Sequence, residues 1–177
     1  MHTPKQYFFL FRILYSSMIT MPWKPLKNIC ILTGILFLSS CGLNYIYNET
    51  VTINDSKWYK DEVAHFELMI NDSISNQNFY LTLRNTTDYR FSNLFIFMTT
   101  HFPNGNITRD TIECLLADQS GRWLGKGWGN VKENQILLKS GLRFPLTGKY
   151  EFYIQQAMRT DTLEGIERVG LIIEKAN

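Results

Sequence analysis

The sequence predicts an all-β fold, a single antiparallel β-sandwich of jelly-roll-like form, behind an N-terminal leader. Apolar residues alternate with polar ones over several short segments, which is the pattern of strands with one buried face. Turn-forming residues separate these segments, and no long stretch with a 3.6-residue period and helix caps interrupts them. Several short strands joined by regular turns favour a sandwich or jelly roll.

Five segments carry the strand signal. Alternating apolar residues predict strands at 66–70, 79–83 and 169–173, and an aromatic-rich segment predicts another at 150–154. Residues 94–98 are all apolar, so both faces of a strand there would be apolar, which predicts a central strand covered on both faces. Clusters of Asn, Asp, Gly and Pro predict turns between the strands, at residues 71–73, 85–88, 103–106 and 145–148.

The N-terminal region has the layout of a secretory signal peptide. Lys24 and Lys27 precede Ile29–Leu38, a run of ten uncharged and mostly apolar residues. This run is too short to span a bilayer, which needs roughly 20 apolar residues. It ends in Leu38-Ser39-Ser40-Cys41, which resembles the bacterial lipobox, in which small residues precede the cysteine that receives the lipid. We therefore expect cleavage before Cys41 and lipidation of its thiol.

The leader sets the predicted domain boundaries. Residues 1–40 form the leader, with translation starting at about Met21; residues 41–56 form the lipidated N-terminus and a tether that ends in a first strand; residues 57–177 form the sandwich. Removing 40 residues from 177 leaves 137, enough for one domain with a sizeable core. The chain carries +2, but the leader holds four basic residues and no acid, so the mature part carries about −2. This charge does not favour nucleic-acid binding, which needs a clustered basic face.

The predicted anchor also indicates a location. Two or more acyl chains hold a protein stably at a membrane, at about 0.8 kcal/mol per buried CH₂. Gly42 follows Cys41, whereas an Asp at that position tends to retain bacterial lipoproteins in the inner membrane. No acidic cluster follows, unlike the signal that exports some lipoproteins to the cell surface. We expect the periplasmic face of the outer membrane.

Catalytic and metal-binding residues are sparse in the mature chain. Cys114 is its one cysteine besides Cys41, so no internal disulfide is possible, and such a residue is usually a small core side chain. The histidines His65 and His101 have no metal-ligand spacing, and no nucleophile motif accompanies them. We therefore expect no enzyme activity, no cofactor and no bound metal.

One loop is unusual in composition. Residues 121–129 hold four glycines and two tryptophans, Trp123 and Trp128. Glycine permits backbone shapes that other residues avoid, so the loop is expected to pack closely against another surface.

Several segments together resemble a known family. With the lipobox, they are similar to the GldH gliding-motility lipoproteins of Bacteroidetes over essentially the whole mature chain; the segments are Tyr89–Phe97, Pro103–Gly105, Asp110–Asp118, Gly121–Gly129, Arg143–Tyr150 and Gln155–Gly165. The resemblance implies a periplasm-facing outer-membrane lipoprotein without established enzymatic activity. It also implies partners among the envelope proteins of gliding motility and type IX secretion.

Two functions for the surface remain open. The first is protein contact in that machinery, because aromatic and Arg residues are usual interface hot spots; its candidate residues are Arg122, Trp123, Lys126, Trp128, Arg159 and Asp161. The alternative is a cell-envelope carbohydrate-binding module that stacks sugars on Trp123 and Trp128. Either tryptophan can instead close one end of the sandwich, and packing is favoured for Trp123.

A short Asp-Ser/Thr-apolar triplet, similar to an O-glycosylation motif of Bacteroidetes envelope proteins, occurs three times. Its candidate acceptors are Ser73, Thr111 and Thr162. The intact mass of protein from the native host tests this modification, since a mass equal to peptide plus lipid excludes it.

Overall fold

A computed structural model describes residues 45–176 of the chain. The predicted leader and the lipidation site Cys41 lie outside the described residues. Ten strands follow one another along the chain: β1 (Tyr45–Thr52), β2 (Lys57–Tyr59), β3 (Ala64–Ile70), β4 (Gln77–Thr86), β5 (Asn93–His101), β6 (Ile107–Leu115), β7 (Val131–Leu142), β8 (Gly148–Gln156), β9 (Thr162–Glu164) and β10 (Ile166–Lys175). The helical structure in this part of the chain is one 3₁₀ turn, Asn54–Ser56. No helix there is long and apolar enough to cross a membrane.

The strands form two four-stranded antiparallel sheets and one small ribbon. The first sheet has the order β1-β10-β4-β7, the second sheet has the order β3-β8-β5-β6, and β2 pairs with β9 in the ribbon. When only the eight long strands are numbered along the chain, the sheets read 1-8-3-6 and 2-7-4-5. This is the strand order of the double-sheet jelly roll. The predicted fold class is therefore confirmed.

The core lies between the inner faces of the two sheets. All five predicted strands are present, and the predicted alternation appears as alternating burial along β3, β4 and β8. The apolar residues Phe66, Leu81, Ile154 and Leu171 are at most 1% exposed. Burying a side chain of this size contributes roughly 1.5–3 kcal/mol, so these strands are fixed by their apolar faces.

Two details of the strand prediction were wrong. Strand β5 is central in its sheet, but only its inner face is fully covered, because Phe95 and Phe97 on the outer face are half-buried. Asn85 was assigned to a turn but lies inside β4, where it is fully buried. Its side-chain oxygen accepts a hydrogen bond from Asn134 Nδ2 at 2.9 Å, and its Nδ2 donates to the Thr86 carbonyl at 2.9 Å. These bonds satisfy the amide in the core and let the strand continue.

Strand β1 occupies half of residues 41–56, the segment that was expected to be a tether ending in a first strand. It pairs with β10 from Tyr45 opposite Glu174 to Thr52 opposite Arg168, with a register shift between Tyr45 and Tyr47. Tyr47 and Ile53 in this segment belong to the core. The sandwich therefore includes residues well before position 57.

Trp58 provides a test of the core. Its ring is fully buried, and its Nε1 donates a hydrogen bond to the Glu62 carbonyl at 2.9 Å. We expect Trp58→Phe to lower the free energy of unfolding by about 2 kcal/mol, because it loses buried volume and one hydrogen bond. Chemical denaturation measures this. Tyr59→Phe is the matched control in the same strand, since Tyr59 is 54% exposed. Equal stability of the two variants would contradict the assignment of Trp58 to the core.

Candidate functional site

The loop rich in tryptophan and glycine belongs to a connection between the edge strands of the two sheets. After β6, residues 116–126 fold back on themselves, with the Leu124 N–H donating to the Leu116 carbonyl at 2.9 Å. Lys126 then exchanges two backbone hydrogen bonds with Glu133 of β7, at 2.9 and 2.7 Å. We call residues 116–126 the connecting hairpin, because they join the edge of the second sheet to the edge of the first.

Asp118 stabilises the turn of the connecting hairpin. Its Oδ1 accepts hydrogen bonds from the backbone N–H groups of Ser120 and Arg122, at 2.8 and 3.0 Å. Its Oδ2 accepts a bond from Arg122 Nε at 2.8 Å. The bond from the Arg122 N–H is the main reason why the pKa of this carboxyl group is lowered from its usual value. The turn is therefore held by local bonds that favour the ionised carboxylate.

The two tryptophans of the loop have different surroundings. Trp123 is half-buried and packs against the hydrophobic core, as the sequence favoured. Trp128 is 97% exposed. It lies between Gly127, where a side chain would collide with the Val131 carbonyl oxygen, and Gly129, whose φ of 62° favours glycine. The backbone on both sides of Trp128 is thus restricted to glycine while the indole ring extends into solvent.

The other predicted contact residues divide into two groups. Arg122 and Lys126 are exposed beside the two tryptophans, and Arg122 is ion-paired to Asp118. Arg159 and Asp161 are exposed between β8 and β9, where the Asp161 carbonyl accepts a bond from the Lys60 N–H at 2.8 Å. In the described part of the chain, no hydrogen bond or ion pair joins these two residues to the loop. The structure therefore brings four of the six candidates together.

A groove on the outer face of the first sheet was not predicted from the sequence. It has a volume of about 780 Å³, within the range of ligand sites. Tyr80, Thr82 and Arg84 of β4 point into it, as do Thr50 of β1 and Gln135 of β7. The sequence contained one indication of it: along these strands, polar residues alternate with the apolar residues that form the core.

The three predicted O-glycosylation positions differ in access. Thr111 is exposed on the edge strand β6, whereas Ser73 and Thr162 are half-buried. Leu163, which follows Thr162, is a core residue. Thr111 is the most accessible acceptor, and the modification itself stays a prediction.

Cys114 is a core residue with an inert thiol. It is fully buried, and this burial raises the pKa of its thiol to about 12. A thiol reacts as the thiolate, so Cys114 stays protonated and unreactive at neutral pH.

We expect Cys114 to resist iodoacetamide in the native protein at pH 8 and to react fully in denaturant. Peptide mass spectrometry of alkylated samples measures both states. Rapid alkylation of the native protein would show that the thiol is accessible and would remove the argument for a purely structural role.

The fold and this surface define the class of the protein: an eight-stranded jelly-roll domain that exposes one tryptophan on a glycine-rich loop. Among residues 45–176, no group of three or more His, Cys, Asp or Glu residues could hold a metal ion. Residues 45–173 match the family model described as GldH lipoprotein, and the chain belongs to this family.

Two relatives extend the match beyond the family model. A "Gliding motility lipoprotein GldH homolog" from Christiangramia forsetii is 41% identical over 156 residues, covering 84% of this chain and 94% of the relative. The "Gliding motility lipoprotein GldH" of Flavobacterium johnsoniae is 34% identical over 156 residues, covering 84% and 96%. The predicted family is therefore confirmed, and it is a family of lipoproteins, which are anchored to a membrane by lipid.

Two solved structures are more weakly similar. Dimeric latent PorU from Porphyromonas gingivalis shares 10% identity with a TM-score of 0.31, and the match covers 78% of this chain and 14% of that one. TmCBM61 in complex with β-1,4-galactotriose shares 13% identity with a TM-score of 0.24, covering 72% and 78%. Both scores are too low to support an argument, so the fold assignment depends on the strand order.

Proposed function

We propose that this chain is a non-catalytic structural or assembly component of the gliding-motility machinery, linked to type IX secretion and anchored to the outer membrane. The observation that carries the proposal is the family match. Both relatives are named gliding motility lipoproteins, and the similarity covers 94% and 96% of their lengths. A jelly-roll domain held at the envelope would act by contacting other proteins. The periplasmic face is proposed from Gly42 and the absence of an acidic cluster after it.

The anchor is proposed at Cys41. The uncharged run 29–38, the small residues Ser39 and Ser40, and the thiol at the next position support it. Three residues separate Cys41 from Tyr45, the first residue of β1. A lipid at Cys41 would therefore be attached almost directly to the folded domain, with no long tether in the sequence between them.

The contact surface is proposed at Trp128. A fully exposed tryptophan leaves a large apolar area in water, and burial of an aromatic residue of this kind removes 150–250 Å² from solvent. The flanking glycines add no side chains that would cover the ring. Trp is among the residues most enriched in interface hot spots. Arg122 and Lys126 supply polar groups at the rim of this surface.

The structure favours protein contact over the glycan alternative based on both tryptophans. Stacking a sugar chain on Trp123 and Trp128 needs two exposed rings along one groove. Trp123 instead packs against the core, and only Trp128 is fully exposed. Neither tryptophan lines the groove on the first sheet.

Lipidation predicts a specific outcome for Cys41→Ala. We expect this variant to stay uncleaved or become soluble, and to take up no labelled palmitate, because the thiol that receives the lipid is absent. Fractionation and palmitate labelling in the native host measure this. Cys114→Ala is the matched control, since it removes the other cysteine of the mature chain and leaves labelling intact. Continued palmitate incorporation into Cys41→Ala would rule out Cys41 as the anchor.

Trp128→Ala tests the contact surface. We expect its free energy of unfolding to stay within about 0.5 kcal/mol of the parent, because the side chain is 97% exposed. Colony spreading of a gliding host that carries this variant in place of its own copy should be strongly reduced. Trp123→Ala is the matched control and should lose about 1–3 kcal/mol of stability, since its ring packs on the core.

The opposite pattern would overturn the assignment of the surface. A large loss of stability in Trp128→Ala would show that the ring is part of the packing. Normal spreading with normal stability would show that the contact surface lies elsewhere. Neither result affects the anchor, which Cys41→Ala tests independently.

A further inference from the structure

The outer face of the first sheet contains a trough that crosses its strands. The strand register places side chains in rows, and the middle row holds Thr50, Gly170, Thr82 and Gln135, one from each strand. Four strands spaced about 4.8 Å apart give this row a length of about 14 Å. We call this row the floor of the trough.

The floor is low where Thr50, Gly170 and Thr82 meet, because their side chains are short. Gly170 has none, and a Cβ at this position would lie 2.5 Å from Thr82 Oγ1 and 2.7 Å from Thr50 Cγ2. The two threonines therefore lean over the glycine, and no larger residue fits there. The floor presents hydroxyl and amide groups rather than backbone, whose hydrogen bonds are used within the sheet.

The two neighbouring rows form walls of different chemistry. One wall includes Ile172 and Tyr80, whose hydroxyl donates to Glu174 at 2.9 Å and so fixes the ring. The other wall includes Arg168, Arg84 and Glu133, which lies opposite Arg84 in the register. The trough is thus apolar and aromatic on one side and charged on the other, with two arginines and one glutamate; we call that side the cationic wall.

The positive charge of the cationic wall is only partly balanced. Arg84 Nη1 lies 3.5 Å from Glu133, and its Nε lies 3.0 Å from Glu167, at an angle that makes this contact an ion pair rather than a hydrogen bond. Arg168 and Lys126 also line the groove, and neither forms an ion pair within residues 45–176. The groove therefore has cationic groups available for an anionic ligand.

We propose that the trough binds a short acidic oligosaccharide, of the kind that contains uronate sugars. A sugar ring has an apolar face of C–H groups, which fits the wall formed by Tyr80 and Ile172. Its hydroxyl groups fit the amide and hydroxyls of Gln135, Thr50 and Thr82. Its carboxylate fits Arg168, because a guanidinium binds carboxylates through paired hydrogen bonds.

An extended peptide fits this site less well. Peptides that bind sheets usually add a strand at an edge and pair through backbone groups. The trough runs across the face of the sheet, where the backbone groups are already paired between strands. Recognition there depends on side chains alone, which suits a ligand with many hydroxyl groups.

Titration of the full mature chain in detergent with defined oligosaccharides tests the proposal. The probes are oligogalacturonates and, at the same length, neutral oligogalactosides. We expect the oligogalacturonates to bind and the neutral oligomers to bind at least about tenfold more weakly, because a charge-assisted hydrogen bond is lost. Gln135→Ala and Arg168→Ala should each weaken oligogalacturonate binding by about tenfold. Both side chains are exposed, so the variants should fold normally.

Gln155→Ala is the matched control, because Gln155 lies on β8 in the opposite sheet. It should bind like the parent, as should Trp128→Ala, which separates this site from the proposed protein-contact surface. The proposal is overturned if no oligogalacturonate binds, if neutral oligomers bind equally well, or if Gln135→Ala and Arg168→Ala leave the affinity unchanged. The proposal is also overturned if Gln155→Ala weakens oligogalacturonate binding as strongly as Gln135→Ala does.

Discussion

Strand β10 lies between β1 and β4 and hydrogen-bonds to both, so the last strand of the chain closes the first sheet. Its inner residues Val169, Leu171 and Ile173 are fully buried. Without it, β1 would have no partner, and the inner face of β4 would lose its neighbour on that side. Because these pairings are distant in sequence, they are entropically costly to form, and the buried apolar side chains must offset this cost. The groove and the start of the folded domain at β1 both depend on this one strand.

The connecting hairpin lies at the open side of the sandwich, where each sheet has an edge strand. Strands β6 and β7 are edge strands of different sheets, and an exposed edge presents unpaired backbone groups. The hairpin extends directly from β6 and pairs Lys126 with Glu133 of β7, so it covers part of the β7 edge. Residues 127–130 then connect the hairpin to β7, and Gly127 and Gly129 permit this short crossing. Trp123 packs against the core from within the hairpin, whereas Trp128 lies on the short crossing itself and is exposed.

The strands with one buried face were predictable because burial imposes a period of two on their sequence, as in Phe66, Leu68 and Ile70. Strand β6 was missed because Cys114 is its one fully buried residue, so no alternation marks it. Strand β7 was hidden because polar Asn134 points inward and apolar Leu137 points outward, which reverses the expected pattern. The exposed loop could be located by composition, but its two tryptophans could be distinguished only by their packing. The sequence indicated polar outward-facing residues but not the trough itself, since Thr50, Thr82 and Gly170 meet only through the register of three strands.

The outer faces of the two sheets differ in how many of their charged and aromatic side chains contact one another. On the second sheet, His65 stacks on Tyr153, Arg109 covers Phe97, and Glu151 lies within 4.0 Å of His65, His101 and Lys149. The bond from Lys149 to Glu151 is the main reason why the pKa of this amine is raised from its usual value, so the pair is held together as ions. On the first sheet, the floor of the trough is uncharged, and Arg168 beside it has no such partner in the described chain. A face whose groups already bind one another gains little from a ligand, because the ligand must displace existing contacts. The first sheet pairs Arg84 with Glu133 and Glu167 but leaves Arg168 without such a contact in the described chain, and for this reason its face, rather than that of the second sheet, is suited to bind another molecule.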